Sequence, residues 1–492
     1  MKDEQLKIPK DPEKLDKLME EKMSLGTSFD AGVRRFTILG KKVHIYYING
    51  LCDSLFIIGI LSQLTQLQLH EKEQKSIRPA RVIENHLVHQ SVEHVDKVQD
   101  AIDQVLSGLI AVVVEGDEQA LIVDVRSYPG RQPEEPDTEK VVRGSRDGYV
   151  ENIIINTALT RRRIRDGRLR FEMNRVGDRS KTDVAIGYIE GIADPNLVKI
   201  VRKELSSIEI DGIPMADKTI EEFIVKQGFN PYPIVRYTER ADIGAAHLLE
   251  GHVLLFVDTS PSVIILPATF FHHMQHAEEY RQSPAVGTFV RWVRFIGVIA
   301  SLFLLPFWLL LASQTELLPD ALKFIGPNEE TNIPLALQII IADAGIEFLR
   351  IAAIHTPTPL STAMGLIAAV LIGQIAIDVG LFVPEVILYA SLAAIGTYAT
   401  PSYEVSIANK LARIFIILAV SFFKVPGFVI ATALVIIYLA RMRALNTPYL
   451  WPLLPFDPKA FSQVFVRRAI PGSKMRPSIV HPEDPYRQPN GK

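Results

Sequence analysis

From Phe295 onward the chain is built of long uncharged apolar stretches separated by short polar breaks. The first, FIGVIASLFLLPFWLLLA at 295–312, runs about 18 residues without a charge, close to what a helix needs to cross a hydrocarbon core. Similar segments follow at 334–352, 362–382, 383–400, 408–423 and 425–440, which gives about six crossings if all traverse. Segment 334–352 differs in carrying Asp343, Glu347 and Arg350. If it lay in the interface, another segment would have to be re-entrant to keep the count even.

The first half has the shorter periods of a mixed α/β fold. KKVHIYYI reads as a strand, and DSLFIIGILSQLTQL as an apolar helix too short and too Gln-interrupted to span a membrane. VEHVDKVQDAIDQVLSG is an amphipathic helix ending at Gly108, and LIAVVVEGDEQALIVDV forms two strands about Glu115-Gly116-Asp117. The acidic, Pro-rich SYPGRQPEEPDTEK marks a boundary, after which a second unit begins. There GYVENIIINTALTRRRIRD is helical, RLRFEMNRV and DVAIGYIEGI are strands, DPNLVKIVRKEL opens a helix with Asp-Pro, and HVLLFVDTSPSVIILP is a hairpin. The fold class expected is a two-subdomain α/β cytosolic region followed by an all-α polytopic transmembrane domain. Its parts are a charged arm at 1–30, subdomains at 31–134 and 135–285, a helical membrane domain at 286–445 and a tail at 446–492. The arm has a weak helical pattern at Leu15, Leu18 and Met19, and a solvated tail is the plainer reading of it.

Flanking charge sets the orientation. Arg281, Arg291 and Arg294 precede the first span, and Glu316, Asp320, Glu329 and Glu330 follow it, so the N-terminal side is expected in the cytosol. Arg441, Arg443, Arg467 and Arg468 after the last apolar run place the C-terminus there too. The charged start of the chain lacks a signal-peptide core, so the first spanning helix is expected to direct insertion. Across the 492 residues, 53 Lys plus Arg against 56 Asp plus Glu argue against nucleic acid as a partner. The one cysteine, Cys52, precludes an intrachain disulfide.

Candidate chemistry lies in the apolar half. Asp343, Glu347 and Arg350 fall at i, i+4 and i+7 on one helical face. That spacing fits both a polar stripe or ion-pair network inside a membrane and an interfacial helix whose charges meet water. Gln374 and Asp378 form a second pair in a more apolar context, where a carboxylate needs a partner, water or a cation, unless it sits near the helix end and reaches solvent. Gly365, Ala368, Ala369 and Gly373 on that segment favour close helix packing and hence an oligomer or a tight bundle. In FFHHMQH, His272 and His276 stand at i, i+4 without an evident third metal ligand, so a surface helix with Phe270 and Phe271 dipping inward is expected. Arg161, Arg162 and Arg163 read chiefly as cations at a helix C-terminus, with the acidic loop Glu134, Glu135 and Asp137 or lipid phosphate as other partners. No phosphate loop, dinucleotide fingerprint, zinc helix or nucleophile elbow occurs, and no catalytic residue, cofactor or metal is expected.

Several ordered blocks carry a wider resemblance. They are EEPDTEKVVRGSRDGYVENIIINTALTRRRIRD, KTDVAIGYIEGIADPNLV, YTERAD, LLEGHVLLFVDTSPSVIILPATFF, VLIGQIAIDVGLFVPEVI, YATPSYEVS and NTPYLWPLLPF. Together they resemble the A-subunit family of bacterial spore germinant receptors. The ends, SFDAGVRRFTILGKKVHIYYINGLCD and RPSIVHPEDPYRQP, look most like one branch of it. The resemblance implies a protein of the spore inner membrane acting in germination, with other germination membrane proteins as partners. The expected function is to form or gate, as a homo-oligomer, a path for ions or small solutes, with Gln374 and Asp378 on the path first and Asp343, Glu347 and Arg350 second. The rival expectation is a non-conducting scaffold or signal relay. FFHHMQHAEEY departs from the family pattern at its histidines, so no histidine function carries over.

Overall fold

The computed structural model describes residues 6–23, 25, 28, 30–66, 79–87, 92–127, 130–136, 139–314, 316, 324–327, 333–355, 365 and 373–488. The chain divides into two units, 1–131 and 132–492. In the first, α1 (Pro12–Met23), β1 (Ala31–Ile38), β2 (Lys41–Ile48), α2 (Ser54–Gln66), α3 (Pro79–His86), β3 (Val92–Val95), α4 (Val98–Leu106), β4 (Ile110–Val114) and β5 (Ala120–Val123) follow one another. The strands form an antiparallel sheet in the order β1-β2-β4-β5-β3. Every residue of β4 is buried, because helices cover both faces, and the run IAVVV is accordingly apolar throughout. Leu15 and Met19 of α1 pack with Ala101, Ile102 and Val105 of α4 on one face; Ile57, Ile60 and Leu64 of α2 pack with Ile83 of α3 on the other.

Two expectations change here. α1 is no solvated arm, since Leu15 and Met19 are fully buried and Asp16 is held by Tyr46 Oη at 2.7 Å, Arg35 Nε at 2.7 Å and His44 Nδ1 at 3.0 Å. The helix read over VEHVDKVQDAIDQVLSG begins only at Val98, because Val92–Val95 pairs with β5 as an edge strand.

The second unit opens with the same plan. It runs α5 (Ile153–Arg163), β6 (Leu169–Val176), β7 (Thr182–Ile189), α6 (Pro195–Ser206), α7 (Ala216–Val225), β8 (Arg236–Thr238), α8 (Ala241–Glu250), β9 (Val253–Val257) and β10 (Val263–Leu266). The sheet order β6-β7-β9-β10-β8 repeats that of the first unit strand for strand. Local signals are strong: the Asn152 side chain accepts from Ile154 and Ile155 N–H to start α5, and Asp194 caps α6 with Pro195 in its first turn. Leu197, Val201, Ile220 and Ile224 cover one sheet face, and Ile153, Ala241, Ala245 and Leu248 the other.

Helices then take over: α9 (Ala277–Arg281), α10 (Pro284–Ser313), α11 (Leu335–His355), α12 (Pro384–Tyr398) and α13 (Tyr403–Arg441). Of the described helices, α10 and α13 are long and apolar enough to cross a membrane. α13 is not straight. Lys424 adopts φ 52° and ψ −126°, close to the first central position of a type II′ turn, and breaks the helix in two. A Cβ on Gly427 would lie 2.1 Å from the Ala419 carbonyl oxygen, so the chain folds back and only glycine fits. The arms 403–423 and 425–441 are about 31 Å and about 25 Å long at about 1.5 Å per residue, and they coincide with the two separate segments read from the sequence. Both return to the α/β module: Tyr232 Oη meets Asn409 Oδ1 at 3.2 Å, and Tyr438 Oη donates to Asn230 Oδ1 at 2.8 Å.

The helices meet over Leu305, Trp308, Leu309, Ile339, Val386, Ile416, Ile417 and Val420. Their outward faces are apolar as well, with Phe289, Ile296, Phe348, Ile395, Phe415, Phe422 and Ile430 exposed, an arrangement suited to lipid rather than water. Close packing is seen at a pair of glycines on two of the helices. Gly365 and Gly373 have nothing within 4 Å of a built Cβ, Ala368 and Ala369 lie outside the described residues, and the contact forms where Gly396 of α12 meets Gly297 of α10. After α13, a two-residue ribbon, β11 (Arg443–Ala444) with β12 (Thr447–Pro448), leads to α14 (Pro458–Phe465). The tail beyond runs back over the module, with Glu483 N–H on Ile192 O at 2.9 Å and Arg487 on Glu250 at 2.5 Å.

Gly396→Ala sets a methyl 2.2 Å from the Gly297 carbonyl oxygen. The expected cost is about 1–3 kcal/mol, read as a lower thermal midpoint of the detergent-purified protein.

Candidate functional site

The buried face of α11 carries the charges read from the sequence, and α13 answers them. Arg413 Nη2 donates to Asp343 Oδ1 at 2.5 Å and its Nη1 to the Ser301 carbonyl oxygen at 2.6 Å. Lys410 Nζ stands 3.5 Å from the same Asp343 oxygen and pairs with Glu347 Oε2. Arg350 Nη2 donates to Glu347 Oε1 at 2.6 Å, its Nη1 reaches Ser406 Oγ at 3.3 Å, and its guanidinium lies 4.9 Å from the Tyr403 ring centre. The spacing explains the fit: Asp343, Glu347 and Arg350 at i, i+4, i+7 face Arg413, Lys410 and Ser406 at the same intervals read backwards along an antiparallel helix.

Asp343, Lys410 and Arg413 are all buried, Arg413 completely. Two carboxylates against three cations leave one positive charge in excess. Asp343 Oδ2, Arg413 Nε and Asn409 Nδ2 are buried without a hydrogen-bond partner among the described residues. An interfacial helix with solvated charges is therefore not what forms; α11 builds an ion-paired ladder inside the bundle. Lys410 and Arg413 were absent from the sequence-derived set. Their signal was available, since Ser406, Lys410 and Arg413 stand at i, i+4 and i+7, the same spacing as Asp343, Glu347 and Arg350.

Gln374 and Asp378 do not join this ladder. Both are exposed, on the turns of helix that end at Gly380, beside exposed Ile375, Val379 and Leu381. Of the acidic residues used for orientation, Asp320, Glu329 and Glu330 lie outside the described residues.

The FFHHMQH segment is an interior turn rather than a surface helix. Phe271, His272 and His273 are buried. The Nδ1 of His272 accepts from Thr269 N–H at 3.3 Å, and that of His276 from Glu278 N–H at 3.2 Å, capping α9. His272 packs instead against His247 and His252, with ring centres 6.0 Å and 5.2 Å away. Burial, with the positive charge of Arg236 next in weight, pushes His247 and His273 down to about 3. Burial, with His247 alongside, does the same to His252, and burial beside His252 holds His272 well below its ordinary value. All are neutral at pH 7. No group of three or more His, Cys, Asp or Glu among the described residues is placed to hold a metal. Arg163 pairs with Asp147 at 2.5 Å, and Arg161 donates to the Asp166 and Leu169 carbonyls, so the arginine run ties the end of α5 to its own surroundings; Asp137 lies outside the described residues.

Comparison with known proteins gives consistent matches. The model of the Bacillus/Clostridium GerA spore germination protein family matches residues 17–479. The chain is 60% identical to Stage V sporulation protein AF of Bacillus subtilis (strain 168) over 488 residues, covering 99% of each. It is 28% identical to Spore germination protein KA of the same organism, over 96% of this chain and 87% of that one. The crystal structure of the N-terminal domain of the A subunit of the Bacillus megaterium spore germinant receptor GerK3 is 28% identical, spanning 54% of this chain and 97% of that one, with a TM-score of 0.23. The family resemblance read from the ordered blocks holds, and the ends of the chain point to the branch of the 60% relative.

Arg413→Gln leaves Asp343 with only the longer contact to Lys410 and is expected to cost up to about 3–5 kcal/mol, whereas pairing it with Asp343→Asn recovers part of the loss. Thermal unfolding in detergent reads both. The histidines give a pH dependence of defined sign. Their folded pKa values lie below the ordinary 6.5, so the unfolded chain binds protons first. Stability is then full above pH 6.5 and falls as pH drops toward 3, by up to about 1.4 kcal/mol per pH unit for each histidine. The groups facing the cluster are Arg236, Arg487 and Glu250. His252→Leu removes one titrating ring and should make the midpoint-against-pH curve shallower by about one proton; an unchanged slope would exclude His252 as a source.

Proposed function

The chain belongs to the Bacillus/Clostridium GerA spore germination protein family, and from that premise we propose that it oligomerises in the spore inner membrane and forms or gates a path for ions or small solutes during germination. The observation that carries this reading is the contrast between its two sets of acids. Asp343 and Glu347 are matched by cations of their own chain. Asp378 is exposed with apolar neighbours. A carboxylate on a lipid-facing surface costs about 2.5–3.5 kcal/mol on insertion scales, a cost relieved when a second copy or a shared water-filled lumen meets it. Gln374 and Asp378 are therefore assigned to the path between copies. Asp343, Glu347 and Arg350 serve it as the ladder that fixes α11 on α13.

The topology proposed is polytopic, with both termini in the cytosol. The return of both α13 arms to the α/β module supports an even number of crossings. Other spore germination membrane proteins are the proposed partners, and the chain acts without catalysis. A second reading, a non-conducting scaffold or signal relay, is favoured by the closure of the α11–α13 ladder within one chain. Flux separates the two. Protein reconstituted in liposomes is expected to raise monovalent-cation flux, and Asp378→Asn to lower it by about tenfold, the effect of losing roughly 1.4 kcal/mol of ion stabilisation. Flux no higher than in protein-free liposomes would leave the relay standing.

A further inference from the structure

We propose that the cavity between the start of α10, α14 and the C-terminal tail is a binding site for a phosphate-class oxyanion. The cavity measures about 120 Å³ and its lining includes Arg291, Arg467, Arg468, Arg487, Glu250 and His272. Sites for drug-sized ligands run to roughly 300–1,000 Å³, while a water occupies roughly 30 Å³ of liquid, so a small tetrahedral anion suits this volume and a nucleotide does not.

Donor accounting identifies the ligand class. Arg291 is 2% exposed; its Nε is taken by Glu279 at 2.7 Å and its Nη1 by the carbonyls of Gln463 and Val464 at 2.8 Å and 3.0 Å. Arg467 is 8% exposed, and its Nη2 donates to the Tyr280 carbonyl at 2.8 Å. The Nη2 of Arg487 donates to Glu250 at 2.5 Å. What remains is Nη2 of Arg291, Nε and Nη1 of Arg467 and Nε of Arg487, all buried and without a hydrogen-bond partner among the described residues. A guanidinium offers five N–H donors and no acceptor, and a buried charged donor left unpaired is costly. Four arginines border the cavity with Glu250 as the only carboxylate in its lining. His272 is held neutral by burial and adds no charge. Planar guanidinium forks bordering one small cavity are the side chains suited to hold a phosphate.

Beside it lies an apolar groove of about 370 Å³ bordered by Pro284, Phe289, Trp292 and Val466, and Arg467 lines both spaces. Phe289 and Trp292 are 66% and 52% exposed on the first apolar helix. A phospholipid would place its headgroup phosphate among the arginines and an acyl chain along the groove; free inorganic phosphate would use the arginine cavity alone. In either case the anion joins α10, through Arg291, to the tail, through Arg467 and Arg487.

The test is calorimetric titration of the full-length protein in non-ionic detergent. Inorganic phosphate is compared with chloride at equal ionic strength, and short-chain phosphatidylglycerol with a phosphate-free glycolipid of the same chain length. Saturable one-to-one binding of phosphate identifies a free anion, and binding of phosphatidylglycerol alone identifies a headgroup; both support the site. Arg467→Gln is expected to weaken binding by about tenfold. The exposed Arg468→Gln should weaken it severalfold with an unchanged thermal midpoint in chloride, and it decides the matter if Arg467→Gln does not fold. No phosphate-dependent binding, or binding by both variants equal to that of the unaltered protein, overturns the proposal.

Discussion

The helical half of this protein depends on charges paired inside its bundle, Asp343 and Arg413 among them buried. Asp343, Glu347, Arg350, Lys410 and Arg413 lie within a bundle whose outer faces are apolar, so Asp343 and Glu347 of α11 pair with Arg413 and Lys410 of α13, while Arg350 pairs with Glu347 on its own helix. That pairing fixes the register of α11 against the first arm of α13 and points α11's polar face inward. Replacing such pairs by well-packed apolar residues is often neutral or stabilising. The contribution of the ladder is therefore a defined pairing of two helices rather than bulk stability.

A second constraint joins the α/β module of the second unit to its helices. Glu279, fully buried, takes both Arg291 and Arg294 at the start of α10. Tyr232 packs with Phe270 and Tyr449, ring centres 6.5 Å apart in each case. The tail closes the loop from the far end of α13, with Phe465 stacked on Phe295 at 4.9 Å and Trp292 Nε1 bonded to the Phe465 carbonyl. A displacement in the module therefore has packed side chains and ion pairs through which to bias α10 and α13, as coupling between sites requires.

The two α/β modules share one sheet order although their sequences differ. What persists is a pattern: an apolar central strand, IAVVV or VLLFV, followed by a hairpin turn and a second fully buried strand. Helices on both faces impose that pattern, since a central strand covered on each side has no solvent position to fill.

Much of the fold was legible along the chain because it rests on local signals. The hairpin turned at Thr259, Ser260 and Pro261, the Asp194-Pro195 helix start and the apolar lengths of 295–312, 408–423 and 425–440 are all set by residues close in sequence. Half of the ladder was equally legible, since i, i+4, i+7 spacing places Asp343, Glu347 and Arg350 on one face. Tertiary structure decided the rest. Whether that face met water or a partner depended on Lys410 and Arg413, some 60 to 70 residues away. Val92–Val95 became a strand because β5 offered an edge, and α1 docked because Asp16 met Tyr46, Arg35 and His44. His272 and His273 entered the interior because His247 and His252 pack on the first and Tyr449 on the second. Period and turn chemistry are properties of neighbouring residues; the partner of a buried charge is a property of the packed chain.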